Sequence, residues 1–106
     1  MKVRVHIWVT GRVQGVYFRY AVEEEARDHG ITGWVWNLPD GRVEGIFEGD
    51  EPDVQEILTY CRKGPQYAKV DHVEVREEPF RGEFRGFEIS TEGYFMMFNG
   101  TGIQPS

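Results

Sequence analysis

The chain has 106 residues, 40% hydrophobic and 14% aromatic, with 12 lysines and arginines against 18 aspartates and glutamates, a formal net charge of -6. That length supports one domain with a two-layer core and excludes two independent ones, and the composition excludes a disordered chain. The acid excess repels polyanions over most of the surface, so any anion site must be local; a single cysteine, Cys61, excludes an intrachain disulfide and requires no oxidising compartment.

The amino terminus, "MKVRVHIWV", alternates. Val3, Val5, Ile7 and Val9 fall on one parity and Arg4, His6, Trp8 and Thr10 on the other, the period-two pattern of a strand with one buried face. Such alternation lacks the continuous apolar block of a signal peptide, and no later run approaches membrane-spanning length, so the expected location is the cytoplasm with no membrane partner. "GRVQG" then breaks the strand. Over residues 16–29, Phe18, Ala21, Val22 and Ala26 follow helical spacing while Glu23, Glu24, Arg27 and Asp28 take the wet side, and Gly30 suits a left-handed stop.

"GWVWNLPDGRVEGIFEG" predicts two strands around a Pro-Asp-Gly turn, because proline presets one turn dihedral and glycine accepts a positive one. Pro52 stands where a helix tolerates proline. Val54, Ile57, Leu58 and Cys61 then form one stripe, ending near Lys63 at "KGP". Residues 70–77 and 87–90 are two further strand candidates, separated by a polar stretch around Pro79 and Gly82. This order predicts an α+β fold of ferredoxin-like split βαβ type, βαββαβ, with two helices on one face of an antiparallel sheet. The domain spans residues 1–90, and residues 91–106 form a carboxy-terminal extension. Within the extension, residues 94–98 are a compact apolar block expected to cover the open sheet face near Trp8, add an edge strand, or join a second subunit, unless the last few residues are an appended artefact.

A glycine-bearing loop that ends a strand and opens a helix aims unpaired backbone N–H groups and the positive end of the helix dipole at one spot. Gly11 and Gly15 allow positive φ and keep side chains away, so successive amides can form a concave nest. "GRVQGV" matches neither the nucleotide P-loop nor the dinucleotide fingerprint. Arg19 lies at the edge of the apolar stripe, and a first-turn arginine leans back over the loop, where its planar fork can hold two phosphate oxygens. A plain structural turn with a solvated arginine is the competing explanation. Asn37 continues the face of Val35 just past the sheet, where an asparagine by default bonds local backbone.

"GRVQGVYFR" together with "GWVWNLPDGRVEG" resembles the acylphosphatase family, and the resemblance runs over about residues 3–89, including the element order. It implies hydrolysis of carboxyl-phosphate mixed anhydrides to a carboxylate and inorganic phosphate, without metal or other cofactor, on the family's ferredoxin-like fold. The resemblance also implies that Arg19 binds the phosphate with the preceding loop amides, those of Gly11, Arg12, Val13, Gln14, Gly15, Val16, Tyr17 and Phe18, and that Asn37 positions the attacking water. The partners then expected are a small acyl phosphate and inorganic phosphate, the latter as product and competitive inhibitor. A carboxylate leaving group, with a pKa of roughly 4 to 5, needs no general acid.

Alternatives are a non-catalytic ferredoxin-like module binding an anion or RNA, and an acylphosphatase-like domain acting on carbamoyl phosphate in a larger maturation enzyme. "RGFEI" faintly echoes RNA-recognition modules, but the acidic balance argues against a nucleic-acid partner. His6, His29 and His72 fall in no metal-ligand spacing. Cys61 completes an apolar stripe; Tyr17 is expected to pack within the loop, the alternative being that its ring meets the substrate's acyl group; and the three tryptophans are expected to pack within a small sheet. Oligomeric state is left open.

Overall fold

The structure, a computed structural model, describes residues 1–90. Its elements run β1 (Lys2–Arg12), α1 (Phe18–Asp28), β2 (Thr32–Asn37), β3 (Val43–Asp50), α2 (Glu51–Lys63), β4 (Lys69–Glu78) and β5 (Phe87–Ile89). The strands form one sheet in the order β4-β1-β3-β2-β5. β3 lies between β1 and β2, and β1 lies between β3 and β4, so the two βαβ units interlock as the ferredoxin-like pattern requires. Residues 94–98, to which the sequence assigns an apolar role, lie outside the described residues.

The expected antiparallel pairing holds for β1 with β3, β1 with β4, and β2 with β3, whereas β5 pairs with β2 in parallel and makes the sheet mixed. Connectivity supplies the reason. β4 ends opposite Arg4, at the end of the sheet where β2 begins, so residues 79–86 cross at that end and deliver β5 running alongside β2. Glu48 fastens this crossing by accepting hydrogen bonds from the backbone N–H of Arg81 at 2.9 Å and of Gly82 at 3.1 Å.

One face of the sheet carries the core. Val5, Ile7, Val9, Val35, Val43 and Phe47 meet Phe18, Val22 and Ala26 of α1 and Val54, Ile57, Leu58 and Cys61 of α2. Phe87 joins them, stacked on Phe47 with centroids 5.4 Å apart, so the aromatic of "RGFEI" is a core residue. Cys61 is fully buried, and burial pushes its thiol pKa up to about 12, which removes it as a nucleophile near neutral pH.

The opposite face is polar yet buried. Arg4, 2% exposed, pairs with Glu48 at 3.1 Å, Glu78 at 3.0 Å and Glu83 at 3.1 Å. His6 lies between Glu44 at 2.6 Å and Glu78 at 2.8 Å, with the Trp8 ring stacked on it at 4.0 Å. Burial alone would raise the carboxyls of Glu44 and Glu78. Hydrogen bonds to His6, with Trp36 helping at Glu44 and Arg4 at Glu78, outweigh burial and hold both below their ordinary value.

Candidate active site

The candidate site grows from the carboxy-terminal end of β1. Gly11 and Arg12 remain strand residues, paired across a bulge with Val70 and Lys69 of β4. Gly11 has its own packing reason: φ is 137°, and a Cβ there would lie 2.1 Å from the Lys69 carbonyl oxygen. The free loop is therefore residues 13–17, anchored by the buried Val13 and turned by Gly15 at φ 74°. No neighbour lies within 4 Å of a Cβ built at Gly15, so backbone conformation, not space, calls for glycine there.

α1 then starts abruptly. Its N-cap, Tyr17, has φ 70° and ψ 13°, the only non-glycine residue with positive φ among the described residues, and it provides no side-chain cap. A left-handed tyrosine costs roughly 1–2 kcal/mol. The first turn carries no acidic residue. Its leading amides thus have no intrahelical acceptor, no capping side chain and no carboxylate to offset the positive end of the dipole.

Arg19 stands in this first turn, half-buried, in a chain with 18 acidic residues. Among the described residues, no carboxylate or carbonyl pairs with its guanidinium; the other arginines with recorded ion pairs are Arg4, Arg27, Arg42 and Arg81. A cavity of about 260 Å³ opens beside it, lined by Val13, Gly15, Tyr17, Phe18, Arg19 and Tyr20.

Asn37 ends β2 at the same end of the sheet. Val43 of β3 is paired with both Val9 of β1 and Asn37 of β2, so the three share one row facing the helices, as the parity of Val35 predicts. Asn37 does not line the cavity beside Arg19. Its Oδ1 is buried and accepts no hydrogen bond among the described residues, an arrangement that costs free energy unless a ligand or water donates to it. Local turn bonding, the default for such an asparagine, is done instead by Asp40, which accepts from the Arg42 backbone N–H at 3.0 Å and Arg42 Nε at 2.9 Å.

Gln14 connects the two halves. Its Nε2 donates to the carbonyl oxygens of Leu38 at 2.8 Å and Arg42 at 3.0 Å, tying the loop to the turn that follows Asn37. From sequence, Gln14 enters only as a loop amide, and nothing local signals this 24-residue reach. Tyr17 also departs from expectation. It does not pack within the loop: the residue is 62% exposed and its ring stacks on Tyr20, with centroids 5.6 Å apart and planes at 23°.

Fold and site together define a small ferredoxin-like α+β domain with a cavity between the loop that follows the first strand and the acid-free N-terminus of α1. The acylphosphatase family model matches residues 5–89. An acylphosphatase of Syntrophobacter fumaroxidans is 56% identical over 89 residues, 84% of this chain and 92% of that protein. One from Rubrobacter xylanophilus is 54% identical over 86 residues, 81% and 78% of the two chains. The crystal structure of acylphosphatase from Bacillus subtilis superposes with a TM-score of 0.80 at 39% identity, covering 83% of this chain and 98% of that one. The chain belongs to the acylphosphatase family.

Proposed function

We propose that this chain, an acylphosphatase that cleaves the carboxyl–phosphate bond of acyl phosphates, holds the phosphate with the amides of its residue 13–17 loop, the first amides of α1 and the Arg19 fork, and aims the attacking water with Asn37. The observation that carries this division of labour is the buried, unpartnered Oδ1 of Asn37, an acceptor suited to one proton of a water. The water oxygen bonds to phosphorus as the bridging P–O bond breaks. The carboxylate leaves with that electron pair, and a water proton ends on a phosphate oxygen, so RCOOPO₃²⁻ and H₂O become RCOO⁻ and H₂PO₄⁻. Positioning and charge stabilisation are what remains for the protein to supply.

Inorganic phosphate should occupy the same cradle and compete with substrate. The cytoplasm suits a chain with one cysteine and, among the described residues, no helix long and apolar enough to cross a membrane. Hydrolysis of benzoyl phosphate with phosphate as competitor tests the roles. Arg19→Ala should lose both phosphate affinity and turnover, the latter by about a hundredfold to a thousandfold, as for a lost oxyanion donor. Arg19→Lys should not restore them, because a point charge lacks the fork. Asn37→Ala should keep phosphate inhibition while turnover collapses; equal loss of phosphate affinity in both variants would refute the assignment.

A further inference from the structure

On the sheet face away from the helices, four adjacent strands each contribute one side chain to a single run of hydrogen bonds. Trp36 Nε1 of β2 donates to Glu44 Oε1 of β3 at 2.7 Å, and the other oxygen of that carboxylate meets His6 Nε2 of β1 at 2.6 Å. His6 Nδ1 meets Glu78 Oε2 of β4 at 2.8 Å. The His6 ring is covered by Trp8 at 4.0 Å, and the Arg76 guanidinium lies 5.1 Å from the Trp8 ring centre. Stability alone does not call for this arrangement. Glu44 is 7% exposed, and apolar residues of similar size in place of a buried charged pair are often no less stable. What such groups can add is one fixed register.

The register is fixed where the site needs it. Trp36 faces Glu44 in the rung immediately before Asn37 and Val43, the last rung between β2 and β3. Past that rung the chain leaves the sheet for the turn closed by Leu38 N and Arg42 O at 2.8 Å. Asn37 Oδ1 accepts no hydrogen bond among the described residues, so the backbone of β2 has to set its direction. Successive strand side chains point to opposite faces, and a bond that holds Trp36 to one face therefore holds Asn37 to the other. The geometry points to Trp36 and Glu44, anchored on His6, as positioning residues that brace the end of β2 and aim Asn37 at the attacking water. This inference rests on the proposed role of Asn37 and adds the residues that direct it.

The test compares kcat for benzoyl phosphate with inhibition by inorganic phosphate in the wild type, Trp36→Phe, Glu44→Ala, Glu44→Gln and Asn37→Ala. Trp36→Phe keeps an aromatic strand former and removes only the N–H donor and part of the ring, so it tests the brace even if Glu44→Ala folds poorly. Its kcat should fall about tenfold, the change set by one hydrogen bond to a charged acceptor, while phosphate inhibition stays at the wild-type level. Glu44→Gln should recover most of what Glu44→Ala loses, because its carbonyl still accepts from Trp36 and its amide still reaches His6 Nε2. Wild-type kcat in Trp36→Phe, a parallel loss of phosphate affinity there, or a Glu44→Gln variant as impaired as Glu44→Ala overturns the brace. If Asn37→Ala collapses while Trp36→Phe does not, the brace alone is wrong; wild-type kcat in Asn37→Ala overturns the role of Asn37 and the brace together.

Discussion

Gln14→Ala isolates the coupling between the two halves of the site. The side chain donates two neutral hydrogen bonds, to Leu38 O and Arg42 O. Neither carbonyl is orphaned by its loss, because Leu38 O also accepts from Gly41 N at 3.2 Å and Arg42 O from Leu38 N at 2.8 Å. Only the bonds themselves are removed, each worth about 0.5–1.5 kcal/mol, or about 1–3 kcal/mol for the pair. If that free energy holds the loop in register with Asn37, its loss populates loosened arrangements, and kcat falls roughly fivefold to a hundredfold at about 1.4 kcal/mol per decade. Steady-state hydrolysis of benzoyl phosphate gives kcat, and phosphate inhibition reports whether the cradle survives; the expected pattern is reduced kcat with inhibition nearly unchanged. Gln14→Glu should be worse than alanine, because a carboxylate faces two carbonyl oxygens without a proton to donate and adds negative charge beside the cradle. Wild-type kcat in the alanine variant, or a glutamate variant more active than the alanine one, would refute the brace.

Two further predictions concern the scaffold. Glu44 and Glu78 are held below their ordinary value of 4.5 in the folded state, so the stability they contribute is full above that value and is lost as pH falls through the lower folded values. Urea unfolding followed from about pH 6 down to about pH 3 should show this loss, and Glu78→Gln should flatten the acid limb; an unchanged slope would contradict the assignment. The two loop glycines should separate by cause. Gly11→Ala drives a Cβ into backbone at Lys69 and should cost about 2 kcal/mol or more, lowering the melting temperature by roughly 10 °C. Gly15→Ala meets no neighbour and should cost only the left-handed penalty of about 1 kcal/mol.

Much of the fold was legible because one face of each long element has a single buried parity or stripe. Val5, Ile7 and Val9 in β1, Phe18, Ala21, Val22 and Ala26 in α1, and Val54, Ile57, Leu58 and Cys61 in α2 are all core residues. The parallel β5 was not legible: three residues carry no directional signal, and the direction follows from where β4 releases the chain. Arg19 and Asn37 could be singled out as candidates because one sits at the edge of the helical stripe and the other two residues past Val35 on the same strand parity. Gln14 and the Tyr17–Tyr20 stack escaped because one acts across 24 residues and the other depends on a left-handed backbone that no tyrosine advertises.

The charge distribution is what would let an acidic chain offer the proposed anion site. A net charge of -6 would oppose a phosphate if the acids were spread evenly. Instead, four glutamates, Glu44, Glu48, Glu78 and Glu83, are gathered on the face away from the helices around Arg4 and His6. Asp40, in the turn after Asn37, is paired with Arg42. The first turn of α1 is left with no acid and with one arginine that has no partner among the described residues. Within about 8–10 Å, the range over which charges act in physiological salt, a phosphate bound as proposed would therefore meet the donors of the loop and Arg19 more strongly than the net charge of the chain. A carboxylate placed in that first turn, as in Tyr20→Glu, should consequently weaken phosphate inhibition at low salt and regain part of it as salt is added. Weakening of equal size at every ionic strength would mean that the substitution acts through shape, and the electrostatic account of the cradle would be wrong.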